Sequence, residues 1–358
     1  MQINSLLDLG WNNFFQSQLD LSSLESQLPF RVVAVERNLI ECLGFDGEGH
    51  QKSLQISTYF WRNKLPEEHP AVGDWLMLDL ELNPIGLLER KTHLKRRGAG
   101  RGRESYVQLI AANIDTLFIV TSCNDDFNIN RIERYLSVAA ESNIHCVLVL
   151  TKVDLCSNTD TYLQALSHSH PDLPVELINA TDRNSVQLLE KWISQGQSVA
   201  LLGSSGVGKS TIINTLIGSE VLATAAIREN DSKGRHTTTS RSLHQLTDGG
   251  ILIDNPGIRE LQIVDSEEGI KAAFSDIDML AEHCRFKDCQ HHSEPGCAVI
   301  KAIEDGILEQ RRLNNYHKLM SEQIRNNESL AERRDKDRSL GRFYKQAKIS
   351  SKRFKSRE

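Results

Sequence analysis

From residue 104 onward, short apolar runs alternate with amphipathic stretches. Residues 114–120, 146–150, 175–178, 199–202 and 251–253 are rich in Val, Ile, Leu and Phe, the pattern of strands buried on both faces. Helical periodicity fills the gaps, and this alternation predicts an α/β layered domain with a mainly parallel sheet. Residues 30–90 follow a different rhythm. Runs at 32–35, 39–43, 54–59, 72–80 and 85–88, split by turn residues, predict five short strands of a small β-barrel, either an OB-fold or an SH3-like barrel. Trp75 falls inside such a strand and is expected in the core, whereas Trp61 fits either the core or a surface platform. Residues 1–29 are polar with scattered Leu, Trp and Phe, as in a short docking helix or a loose extension, and residues 304–327 are charged and helical in character.

These breaks predict a multidomain α/β protein. An extension (1–29) precedes a barrel with a basic linker (30–103), the α/β domain (104–268), a C-terminal helical module (269–330) and a basic tail (331–358), which is expected to be disordered until bound. Charge sharpens the picture. The chain of 358 residues has a net charge of −6, yet residues 90–103 carry +7 with no carboxylate and residues 333–358 carry +8. Basic runs with glycines, and with Phe343, Tyr344 and Phe354 in the tail, suit contact with a phosphate backbone and base stacking. No basic start followed by an apolar core occurs, nor any apolar run of about eighteen residues, so a cytoplasmic protein without a membrane partner is expected. Cys42, Cys123, Cys146 and Cys156 show no disulfide-framework spacing, which fits a reducing compartment.

Gly203-Ser204-Ser205-Gly206-Val207-Gly208-Lys209-Ser210 fits the phosphate-loop pattern between an apolar strand and a helix that opens at Thr211. Lys209 would sit between the β- and γ-phosphates, and the Ser210 hydroxyl would ligate Mg²⁺. The run 250–257 ends its strand at Asp254, a candidate for the Mg²⁺ shell. Thr237, Thr238 and Thr239 follow His236 in a polar segment of the kind that closes over the γ-phosphate; Thr238 is the candidate Mg²⁺ ligand and His236 a candidate catalytic group. Thr151-Lys152-Val153-Asp154 follows a buried strand and would read guanine, Asp154 accepting hydrogen bonds that adenine cannot offer, with Asn179-Ala180 backing the base. This base motif precedes the phosphate loop, the reverse of ordinary GTPase order, which points to a circular permutation. Ile258 stands where many GTPases carry the glutamine that positions water, so slow intrinsic hydrolysis is expected.

Cys284, Cys289, His291 and Cys297 have C-x4-C-x-H-x5-C spacing, a closed set for structural zinc, with His292 as the competing ligand. Together with G-S-S-G-V-G-K-S, G-R-H-T-T-T and D-N-P-G-I in permuted order, this cluster resembles the RsgA family of ribosome small-subunit-dependent GTPases over residues 30–325. The resemblance implies GTP hydrolysis to GDP and phosphate stimulated by the 30S subunit, a role in late 30S maturation on 16S rRNA, an N-terminal OB-fold, one zinc per chain and a monomer. It also implies guanine reading by Thr151, Lys152 and Asp154 and phosphate binding by residues 203–211. Thr151 departs from the more usual asparagine, Asn179-Ala180 from Ser-Ala, and Asn255 from threonine. Two other readings are a P-loop kinase or ATPase and a GTP-gated RNA-binding protein with negligible catalysis.

Overall fold

The computed structural model describes residues 3–36, 38–97, 107–218, 241–246, 248–254 and 267–327. Thr238, His236, residues 255–258, the glycine-rich half of the first basic run and the basic tail lie outside these residues. The strands are β1 (Gln27–Val35), β2 (Leu39–Phe45), β3 (Gln51–Ser57), β4 (Trp75–Asp79), β5 (Pro84–Leu87), β6 (His93–Arg97), β7 (Val107–Ala112), β8 (Thr116–Ser122), β9 (His145–Thr151), β10 (Val175–Leu177), β11 (Ser198–Leu202), β12 (Arg241–Gln245) and β13 (Ile251–Asp254). The α-helices are α1 (Asn13–Gln16), α2 (Leu21–Ser26), α3 (Ile129–Glu141), α4 (Asp160–Ser167), α5 (Arg183–Val186), α6 (Lys209–Ile217), α7 (Glu267–Ala273), α8 (Ser275–Ala281), α9 (Ala298–Glu304) and α10 (Gln310–Asn327).

A mixed sheet organises the molecule, in the order β10-β9-β8-β11-β13-β12-β1-β2-β3. Strands β10, β9, β8, β11 and β13 pair in parallel, and β8 and β11 are buried at every position, which explains their near-continuous apolar sequences. The chain runs outward through β8, β9 and β10 before it enters the centre at β11. That order is the spatial form of the permutation read from the motifs.

Strands β1 to β5 pair antiparallel in the order β3-β2-β1-β4-β5; a closing β3–β5 pair is not among the described pairings. Sequence did not predict that β1 also joins the central sheet. Its first residues, Gln27 to Arg31, pair with β4, whereas Ala34 and Val35 pair with β12. The register against β2 shifts between Val32 and Ala34, where the strand changes partner. The hairpin of β6 and β7 was also unexpected, because His93–Arg97 is polar enough to read as linker. Trp61 and Trp75 are both buried. Residues 3–19 are docked: Ile3, Leu9, Trp11 and Phe15 pack on Trp75, with the Trp11 and Trp75 rings edge to face at 4.8 Å, whereas α2 buries no residue. Arg31, fully buried and lying over Trp75, reaches from β1 to the Ser198 hydroxyl at 3.1 Å, and burial draws its guanidinium down to about 10.

The C-terminal helices clamp onto α3. α7 packs along it, with the Gly269 N–H donating to Glu141 at 3.0 Å, and α10 delivers Arg311, Arg312 and Asn315 to the fully buried Glu133. Arg312 also pairs with Asp276 of α8. Burial alone would raise the Glu133 carboxyl, but the His170 hydrogen bond and the two arginine charges hold it below the ordinary carboxylate range. Among the described residues, no helix is long and apolar enough to cross a membrane. Glu133→Ala leaves two guanidinium groups without their buried partner, so it should cost about 3–5 kcal/mol. Urea unfolding followed by a probe on α10 should show that loss; a change near zero would mean α10 is held by its apolar contacts alone.

Candidate nucleotide site and metal centre

The loop after β11 is shaped by its neighbours. A Cβ on Gly203 would lie 2.1 Å from the Val120 carbonyl oxygen of β8, so only glycine lets the chain leave the sheet there. Gly206 and Gly208 have φ of +82° and +98°, the left-handed region that turns loop amides inward. Val207 is buried in the apolar cluster with Ile178, Val186 and Ile212, which anchors the loop between these glycines. Lys209 opens α6 and curls back, its Nζ donating to the Gly203 carbonyl at 2.7 Å and to that of Ser204. Ser210 and Thr211 follow in the first turn, half-buried.

The base-motif residues arrive from β9. Thr151 pairs with Ser122 at the carboxyl end of the sheet and is fully buried. Its hydroxyl lies 2.7 Å from the Val207 carbonyl in the phosphate loop and 3.2 Å from that of Thr121, while its own carbonyl accepts the Cys123 N–H at 2.9 Å. The one hydroxyl proton serves the nearer carbonyl, so Thr151 bolts the two loops together from beneath. Lys152 adopts a left-handed φ of 59° and reverses the chain into a short turn, Val153–Leu155, which leaves Asp154 exposed at the rim. After β10, Asn179 Oδ1 accepts from the Thr181 N–H and hydroxyl at 3.0 and 2.7 Å. Ala180 is buried, its carbonyl 3.3 Å from the Thr215 hydroxyl of α6, and the Cβ position of Gly208 is 3.5 Å from the Ala180 Cβ.

Three loops therefore converge at the carboxyl ends of β9, β10 and β11, the crevice where open α/β sheets bind ligands. Asp254 ends β13 beside β11, adjacent to the same crevice. Thr238 and His236 lie outside the described residues. Sequence reasoning missed Asp126. In the loop between β8 and α3, it accepts the Ser204 hydroxyl proton at 2.6 Å and pairs with Arg131 at 2.8 Å. The available signal was its place just past the carboxyl end of the strand that flanks the phosphate-loop strand.

The sulfur–nitrogen cluster forms between α8 and α9. Ligand atoms of Cys284, Cys289, His291 and Cys297 all lie within 4.8 Å of one another. Cys284 Sγ is 3.8 Å from Cys297 Sγ, and His291 Nδ1 is 3.7 and 3.4 Å from these two sulfurs. A tetrahedral zinc shell places two thiolates about 3.8 Å apart and a thiolate and an imidazole nitrogen about 3.6 Å apart. The set fits zinc. The Ala298 and Ile300 N–H groups donate to the sulfurs of Cys284 and Cys297, which stabilises thiolate charge. Geometry also separates the two histidines: His291, at φ 58°, is turned into the cluster, whereas the His292 ring lies against His317, tilted by 43° with centroids 4.4 Å apart.

Thr151→Val keeps the shape and removes the hydroxyl, leaving the buried Val207 carbonyl without its donor. GTP and GDP affinity should both fall about five- to tenfold, roughly 1 kcal/mol, with guanine selectivity unchanged and Thr151→Ser restoring binding. Titration with a fluorescent guanine nucleotide checks this, and a selective loss of base discrimination would show that Thr151 contacts the base.

The family model described as RsgA GTPase matches residues 87–264. The small ribosomal subunit biogenesis GTPase RsgA 2 of Vibrio vulnificus (strain CMCP6) is 46% identical over 98% of this chain and 97% of its own length. The small ribosomal subunit biogenesis GTPase RsgA of Mesorhizobium japonicum is 44% identical over 90% and 91%. Among solved structures, YloQ, described as a circularly permuted GTPase, aligns with a TM-score of 0.59 at 25% identity over 84% of this chain and 96% of that one. YjeQ from Thermotoga maritima shares the fold, with a TM-score of 0.61 at 24% identity over 83% of this chain and 99% of that one. With β8, β9 and β10 laid down before the central β11 and its base motif ahead of its phosphate loop, the chain belongs to the RsgA family of circularly permuted GTPases.

Proposed function

We propose that this protein hydrolyses GTP to GDP and phosphate as a maturation factor of the small ribosomal subunit, binding 16S rRNA in the late 30S particle and being stimulated by it. The observation that carries the reading is the convergence of Thr151, Ala180 and Gly208 at one edge of the sheet, with Asp154 at the rim and Lys209 at the mouth of α6. Asp154 and Lys152 would grip the base, backed by Asn179 and Ala180. Residues 203–211 would hold the phosphates, Lys209 exchanging its loop carbonyls for phosphate oxygens. Ser210, Asp254 and Thr238 offer hard oxygen donors that suit Mg²⁺, which when bound neutralises charge on the phosphate oxygens. His236 is the candidate for positioning water, since Ile258 has no group to do so.

The remaining assignments follow the same reading. Residues 30–103, with β1 reaching back to Gln27, make an OB-type RNA-binding barrel through β1 to β5, and residues 104–268 form the GTPase domain. Residues 269–330 form a helical module stapled by one zinc, and the tail from 331 supplies further positive charge. The protein works as a cytoplasmic monomer. These assignments draw on the RsgA relatives' names, the strand order and the Cys/His spacing.

The deciding experiment is GTP and ATP turnover by the purified protein, alone and with 30S, 50S or 70S particles. A large GTP-specific stimulation by 30S is expected, and Lys209→Ala should abolish it while Asp154→Asn relaxes base choice. Tight GTP binding without stimulation would replace this reading with a GTP-gated rRNA-binding protein. Zinc analysis should give one equivalent, and Cys297→Ala should release it and unfold α9 and α10, because structural zinc binding is folding free energy. Retention of a full equivalent would point to another ligand set.

A further inference from the structure

At the opposite end of the sheet from the phosphate loop lies a second concavity. The amino ends of β8, β9 and β11 form its floor, through Thr116, His145 and Gln197, and Lys91, Lys191 and Trp192 form its walls. Its volume is about 400 Å³, within the range of small-ligand sites. Five residues of β11 at about 3.3 Å each put it some 17 Å from the nucleotide crevice. The two sites are separate.

The chemistry of the walls is specific. Trp192 is half-buried with its indole N–H committed to Glu176 at 2.9 Å, and the Lys191 ammonium lies 5.5 Å from the centre of its ring, so ring and cation stand together at the wall. The exposed imidazole of His145 lies 5.8 Å from that ring and within 31° of parallel, extending the aromatic wall. Lys91 and Lys191 stand half-exposed, with Asp115 at 3.1 Å and Glu176 at 2.9 Å. An ammonium has three N–H donors and each carboxylate engages one, so both lysines retain donors for an anion. Asp115 is itself occupied by the Ser198 N–H at 2.8 Å, and Glu176 by Trp192. A flat aromatic wall flanked by two cations is complementary to a nucleoside phosphate.

We propose that this concavity is a subsite for an unpaired nucleotide of an RNA strand, whose base stacks on Trp192 and His145 and whose phosphates meet Lys91 and Lys191. The sequence context favours RNA over a free mononucleotide: Lys91 belongs to the basic run 90–103, which continues past the pocket residue with Lys95, Arg96 and Arg97, so positive charge for further phosphates follows it along the chain. The inference rests on the reading that the protein works on ribosomal RNA.

Trp192 also supplies the readout, since Trp11, Trp61 and Trp75 are buried. The full chain, saturated with a non-hydrolysable GTP analogue to fill the nucleotide crevice, is titrated with single-stranded heptaadenylate and separately with AMP while tryptophan emission is followed. Saturable quenching by the oligomer is expected, with AMP binding at least tenfold more weakly. Lys191→Glu and His145→Ala, both at exposed positions, should each weaken the oligomer by roughly tenfold, and Trp192→Phe should remove the signal. Equal oligomer affinity in wild type and both variants overturns the subsite, as does AMP binding as tightly as the oligomer. If wild-type protein binds 30S particles yet shows no quenching, the subsite falls and the proposed function stands; if it binds neither, both fall.

Discussion

The parallel pairing of β8 with β11 is the constraint on which the rest of the molecule depends. Both strands are buried along their whole length, and Gly203 passes so close to the Val120 carbonyl that their spacing cannot relax. Among the described residues, the candidate nucleotide-contacting loops are referenced to that pair. The phosphate loop leaves β11, the Asp126 loop leaves β8, and β9 carries Thr151 into hydrogen-bonding range of the phosphate loop because it is in register with β8. Permuting the chain order leaves this geometry intact, since the site is defined by which strand ends lie together and not by which comes first.

Permutation does change what the site is attached to. Among the described residues β13, ending at Asp254, is the last strand in the chain, and the next element is α7, which packs on α3. α3 starts just after Asp126 and carries Glu133, the buried anion that holds Arg311 and Arg312 of α10. The helices that carry the Cys/His cluster are thus joined to the phosphate-loop side of the sheet twice, through the chain beyond Asp254 and through the helix that follows the Ser204–Asp126 hydrogen bond. The Asp126 contact and the buried Glu133 both lie at the amino-terminal end of α3, and the Gly269–Glu141 contact with α7 lies at its other end, so the C-terminal helices grip α3 along its length.

Local patterns were legible in the sequence, and long-range pairings were not. The phosphate-loop residues and the Cys284, Cys289, His291 and Cys297 set each lie within a short span, so spacing alone brought them together, and the five buried parallel strands were visible as apolar runs. The choice of His291 over His292 needed the positive φ that turns one ring inward. Strands β6 and β12 were missed because their sequences are polar, and β7 because its partner β6 reads as linker; pairing rather than composition makes them strands. The packing of Trp11 and Phe15 on Trp75 was hidden for the same reason: a polar segment with scattered aromatics shows no period. Thr151 was legible as a motif position, but its buried hydroxyl, directed at a carbonyl and away from the crevice, could be seen only in three dimensions.

The same sheet explains why positive charge and nucleotide chemistry can coexist in an acidic chain. Parallel strands place all their carboxyl ends on one edge and all their amino ends on the other, so two ligand-facing surfaces are separated by the length of a strand. The carboxyl edge is built from backbone turns, hydroxyls and one lysine held by its own loop, a surface suited to a phosphate chain. At the amino edge, side chains dominate: Trp192, His145 and two lysines tethered by carboxylates. Those carboxylates hold the lysines in place and lower the local charge, so an anion at that edge must match the position of the ammonium groups and cannot rely on a broad positive field. The basic run of residues 90–103 supplies the field, and the pocket at its root supplies the fit.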